Sequence, residues 1–97
     1  MSKFETEVRA FFEGLRETIG DDTHVWSKAE WAKRGEQYGN TSPFVITTEG
    51  PFYEMYNYGT YADIPVDYAD KLRAIAKRHG YYFEQGYAWM ISPYRSN

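Results

Sequence analysis

Apolar residues recur at three- and four-residue intervals between Lys3 and Ile19, and this stripe constrains the chain more than any other feature. Phe4, Val8, Phe11, Phe12, Leu15 and Ile19 fall on one side of a helix drawn over residues 3–19. Glu7, Arg9, Glu13, Arg16 and Glu17 take much of the other side. Ser2 and Glu5 have capping-box spacing at the start, and Gly20 suits the position just past the end. A stripe this broad must be buried, so the rest of the chain has to supply a layer for it.

A second helix with the same need lies late in the chain. Val66, Ala69, Leu72, Ile75, Ala76 and His79 form its stripe, Pro65 suits an early helical position and Gly80 closes it. Asp63, Asp67 and Asp70 cluster at its amino end, and Lys71, Arg73, Lys77, Arg78 and His79 lie toward its carboxyl end, the arrangement the helix dipole favours. This charge separation stabilises a helix without any ligand.

The common layer comes from the strand-forming stretches. Residues 44–59 read as a β-hairpin: Val45, Ile46, Thr47 and Thr48 favour a strand, Glu49, Gly50 and Pro51 a break, and Phe52 to Tyr58 an aromatic second arm. That arm does not divide into an apolar and a polar face, since Phe52, Glu54, Tyr56 and Tyr58 alternate with Tyr53, Met55 and Asn57. Residues 81–83 and 87–91 also read as strand. They form either a second hairpin turning at 84–86 or one long strand with a bulge at Gly86, ended by Pro93.

Between the first helix and the hairpin, Asp21 to Val25 reads as a connection, with Asp21 and Asp22 solvated after the helix terminus. Ser27 and Glu30 have capping-box spacing, and Trp26 and Trp31 are placed as a hydrophobic staple. They predict a short helix ending at Gly35 or continuing to Tyr38. Residues 36–43 and 59–63 read as connections. The expected fold is α+β: a small antiparallel sheet of three or four strands backed by two main helices, with an additional short helix.

Ninety-seven residues with 42% hydrophobic content suffice for one core, so the expectation is a single domain over 1–97 with a flexible tail at 94–97. The chain has no cysteine, which excludes disulfides, thiolate metal sites and cysteine nucleophiles. Apolar runs are far shorter than the roughly 20 residues a spanning helix needs, and the amino terminus carries acids where a secretory signal is apolar. A cytoplasmic protein without a membrane partner is the simplest expectation.

Net charge is −3, which argues against attraction to nucleic acid over the whole surface. A nucleic-acid reading then rests on Phe52, Tyr56 and Tyr58 stacking bases from one sheet face. An enzyme reading rests on Glu54, desolvated among tyrosines as a general acid, or on His24 or His79. The histidines show no ligand spacing toward Asp21, Asp22 or Asp63, and no metal or cofactor is expected.

Protein interaction leaves the fewest requirements unmet. The chain is 20% aromatic, with ten tyrosines and three tryptophans, the residue types enriched at interface centres. Trp26, Trp31, Tyr53, Tyr56, Tyr58, Tyr61 and Tyr87 are candidate anchors, and Tyr56, Tyr58, Tyr61, Trp26 and Trp31 are preferred. The sequence therefore points to a non-catalytic protein-interaction or regulatory domain whose partner is another protein or, through an edge strand at 52–58, a second copy.

Overall fold

A computed structural model describes residues 2–35, 41–59 and 64–96. The elements run α1 (Lys3–Ile19), β1 (His24–Ser27), α2 (Lys28–Ala32), β2 (Phe44–Thr47), α3 (Pro51–Tyr58), α4 (Tyr68–Arg78), β3 (Tyr81–Tyr87) and β4 (Met90–Arg95). The strands form one antiparallel sheet in the order β1-β2-β4-β3, so this is the α+β architecture expected from the sequence, with four strands.

Helix α1 is written almost entirely in its own residues. The Ser2 hydroxyl accepts from the Glu5 N–H at 3.1 Å, and Gly20 closes the helix at φ 67°. Only half of the capping box forms, because the Glu5 carboxylate turns to the Arg9 guanidinium at 2.9 Å. Phe4, Val8, Phe12 and Leu15 are buried against Val25, Phe44, Ile46 and Ile91 of the sheet and Ala69, Leu72, Ile75 and Ala76 of α4.

Side chains alternate across a strand, so Val45 and Met90 leave the sheet on the opposite face. There they meet Trp31 of α2, with Trp26 and Tyr87 alongside. The Ser27–Glu30 capping box is complete, and the Trp26 and Trp31 rings lie 6.2 Å apart as the staple requires. Helix α2 gives way at Lys33, before Gly35, and a continuation to Tyr38 concerns residues outside those described.

The hairpin expected over 44–59 does not form. Strand β2 takes its partners from β1 and β4, and residues 51–58 are helix α3. Pro51 occupies the first helical position, Gly50 precedes it at φ 76°, and Phe52 and Met55 are buried three residues apart. An aromatic-rich composition favours strands only weakly, and burial of one helical face outweighs it. The missing period-two division of this segment was the physical sign.

Four further expectations change. Pro65 precedes α4 by more than a residue: Asp67 is the cap, accepting from the Asp70 N–H at 2.9 Å. Asp63 and the rest of the 60–63 connection lie outside the described residues. Residues 81–95 are a hairpin turning at Ala88 and Trp89 rather than at 84–86, with Gly86 as a bulge between the Gln85–Ile91 and Tyr87–Met90 pairs.

Pro93 lies inside β4 instead of ending it, and Tyr94 and Arg95 pair with Tyr82 and Tyr81 where a tail is expected to begin. The Ser96 N–H bonds to the Gly80 carbonyl, which sets the alternation. Tyr82–Tyr94 and Glu84–Ser92 then exchange hydrogen bonds, while Phe83–Pro93 is a non-hydrogen-bonded pair. The missing N–H of Pro93 therefore costs nothing toward β3, and paired positions with β2 stop at Ile46–Ile91.

Candidate functional site

Among the described residues, two of the three exposed large aromatic side chains, Tyr58 and Trp89, lie where α3 meets the β3–β4 turn. The foundation of this surface is Asp21, which is 1% exposed rather than solvated. One carboxylate oxygen accepts from the Phe52 N–H at 2.8 Å and the other from the Thr23 N–H at 3.0 Å. The cap residue of α3 is Gly50, which has no side chain, so Asp21 supplies the capping oxygen from a distant part of the chain. The Thr23 hydroxyl also accepts from the Glu49 N–H at 3.1 Å and donates to the Glu49 carbonyl at 3.2 Å, fixing the loop that enters the helix.

At its other end α3 is tied to the hairpin. The Asn57 amide donates to the Tyr53 carbonyl at 2.9 Å and the Ala88 carbonyl at 3.0 Å, and accepts from the Gln85 amide at 3.0 Å. The turn is held a second time by the Thr48 N–H, which bonds to the Trp89 carbonyl at 2.7 Å. Tyr58 and Trp89, the neighbours of Asn57 and Ala88, are 67% and 38% exposed. Tyr53 lies edge-on to Tyr58 at 6.5 Å, and Tyr87 stacks on Trp89 at 4.8 Å with its ring packed against the Trp31 cluster.

The preferred anchors divide. On a helix, residues two apart point to different sides: Tyr58 faces outward, whereas Tyr56 is half-buried, packed on Phe52 at 5.8 Å under the Arg73 guanidinium. Burial pushes the Tyr56 phenol up from its ordinary value, against the opposing pull of Arg73. Trp31 is 1% exposed. Trp26 is half-buried and donates its indole N–H to the Thr47 hydroxyl at 2.9 Å, with the Arg34 guanidinium 4.8 Å from its ring and 4.9 Å from that of Trp31. Tyr61 lies outside the described residues.

The geometry behind the alternative chemistries changes as well. Phe52 is fully buried on a helix, so Phe52, Tyr56 and Tyr58 do not form a base-stacking sheet face. Self-pairing through residues 52–58 loses its basis for the same reason, since a helix offers no strand edge. Glu54 sits on α3 and not on an aromatic strand. His79 bonds to Glu7 at 2.9 Å and stacks on Phe4 at 5.2 Å, while His24 packs edge-on to Trp26 at 4.4 Å. Among the described residues no three His, Asp or Glu side chains gather as a metal site, and no helix is long and apolar enough to cross a membrane.

Trp89, Asn57 and Gln85 were not legible as site residues. A strand over 87–91 buries every second side chain, and nothing in Ala88-Trp89 has the turn chemistry that would expose Trp89. No protein-family model, curated protein or solved structure matches this chain.

Proposed function

We propose that this chain is a protein-interaction module, regulatory rather than catalytic in its use, that engages a protein partner through the Tyr58–Trp89 surface. The observation that carries this reading is the exposure of two large aromatic side chains on segments locked together by the Asn57, Gln85 and Ala88 hydrogen bonds. Tyrosine and tryptophan bury rigid area at small entropic cost, and a fixed scaffold lowers that cost further. Trp26 and Tyr87 extend the surface around the sheet, and Trp31 supports it from below.

The test is quantitative affinity capture of the intact protein from its natural source, with and without nuclease, beside the Tyr58→Ala/Trp89→Ala double variant. The expected result is one near-stoichiometric, nuclease-resistant protein partner lost from a double variant whose circular dichroism and melting transition match the parent. Retention of that partner by the folded double variant overturns the surface assignment. A partner set that disappears with nuclease replaces it with nucleic-acid association.

A further inference from the structure

Among the described residues strand β3 is an edge of the sheet, paired with β4 on one side only. The hydrogen-bonded alternation with β4 at Gly80, Tyr82 and Glu84 directs the backbone N–H and C=O groups of Tyr81, Phe83 and Gln85 away from the sheet. Such a row is a template for another strand unless something covers it. Here it borders a groove of about 360 Å³ between β3 and α4, lined by Arg73, Ala76, Lys77, Tyr81, Tyr82 and Phe83, with Ser96 at one end.

The charge of this groove is one-sided. Arg73 and Lys77 form its helical wall, and the Arg95 guanidinium lies 5.2 Å from the Tyr81 ring beside it. No carboxylate is among the described residues that line it, and neither Arg73 nor Lys77 has an ion-pair partner among the described residues. This contrasts with the next two residues after Lys77, since Arg78 and His79 are both engaged by Glu7. The Arg73 guanidinium also lies 4.9 Å from the Tyr56 ring, which leaves its charge unneutralised. The chain is acidic as a whole, so a groove with two cations and no carboxylate among its described lining residues is a local departure.

We propose that the groove between β3 and α4 binds an extended acidic segment of a partner protein, added to the sheet as a further strand. The spacing selects the segment. Arg73 and Lys77 are four residues apart on one helix face, a rise of about 6 Å, and alternate side chains of an extended strand repeat at about 6.7 Å. Two carboxylates separated by one residue therefore reach the two cations together, and the intervening side chain turns to the opposite face, where Tyr82 is 48% exposed. An acidic–apolar–acidic triplet meets both requirements, with main-chain bonds supplying affinity and alternate side chains specificity.

This site goes beyond the Tyr58–Trp89 surface and does not rest on it: Tyr82 and Tyr87 are separated by five residues of strand, about 16 Å. The test is a titration of isotope-labelled protein with the blocked peptide Thr-Glu-Val-Glu-Thr, followed by amide shifts and hydrogen exchange. The expected result is saturable binding that shifts and protects the Tyr81, Phe83 and Gln85 amides, weakens about tenfold in Lys77→Glu and persists in the Tyr58→Ala/Trp89→Ala variant. Methylating one alternate set of peptide amides should abolish binding and methylating the other should leave it.

Equal tolerance of both methylation patterns overturns strand addition. Equal binding of Thr-Lys-Val-Lys-Thr overturns the acidic specificity, and absence of binding at about 1 mM, roughly −4 kcal/mol, overturns the site. Protection of the same amides by rising protein concentration alone assigns the edge to a second copy and overturns the acidic-segment proposal.

Discussion

Helices α1 and α3 both bury phenylalanines against the core and both close on a left-handed glycine, Gly20 and Gly59, yet their amino-terminal ends are held in opposite ways. Helix α1 takes its amino-terminal cap from the adjacent Ser2 and its stop from Gly20. Helix α3 has a bare glycine at its cap position, and its capping oxygen comes from Asp21, thirty-one residues earlier in the chain than Phe52. Its far end closes locally on Gly59, whose N–H bonds to the Met55 carbonyl at 2.9 Å, and Asn57 adds a tie to the β3–β4 hairpin. A helix finished by its neighbours in sequence can be read from them; one finished by distant segments exists only once the fold brings those segments together.

The sharpest way to break this contrast is to remove the two caps separately. Asp21→Ala leaves two buried backbone N–H groups without their acceptor and is expected to cost about 2–3 kcal/mol. Ser2→Ala removes one cap at an exposed helix start and is expected to cost about 1 kcal/mol. Urea denaturation measures both. Equal losses would mean that α3 does not depend on its remote cap. Hydrogen exchange adds the spatial readout, since Asp21→Ala should speed exchange in α3 and at the Asn57–Ala88 junction before it affects the centre of α1.

Two glycines sharpen the comparison at smaller amplitude and with opposite signs. Gly50 stands at φ 76°, and a Cβ there would lie 3.3 Å from the Asp21 carboxylate oxygen, so Gly50→Ala strains the backbone and presses on the remote cap together. A loss of about 1–2 kcal/mol is expected. Gly14 lies within α1 with nothing within 4 Å of a new Cβ, so Gly14→Ala should gain up to about 1 kcal/mol. Thermal melts that moved both variants in the same direction would contradict the local character of α1.

The same distinction governs what was legible beforehand. The stripe from Phe4 to Ile19, the Ser27–Glu30 box, the Trp26–Trp31 staple and the Val66–His79 stripe depend on neighbours a few residues away; the first three appear in the structure, and the last does from Ala69 to Ala76, with Val66 before the helix and His79 at its cap. Together they were enough for the α+β class. Residues 51–58, the turn at Ala88-Trp89 and the place of Pro93 depend on pairing partners far along the chain. For the candidate surface, Tyr58 stands among the preferred anchors of the sequence, but Trp89 does not, because its exposure follows from where the hairpin turns. Asp21 shows the same limit of local reading: two aspartates after a helix look solvated until residues 51–58 are known to form another helix above one of them.

The smallest expected effect concerns the contact that fastens α1 to the end of α4. His79 and Arg78 both bond to the Glu7 carboxylate and hold its pKa below the ordinary value, against the opposing effect of desolvation. A carboxyl whose folded pKa is lowered stabilises the fold when ionised, so its contribution is present above the unfolded pKa and fades as pH falls through the folded one. Glu7→Gln should therefore melt slightly lower than the parent near neutral pH, and the gap should close on acidification below about pH 5. A gap that stayed constant across this range would show that packing of the side chain, not its charge, carries the contact. The Phe4–His79 stack at 5.2 Å would then be the feature joining the two helix ends.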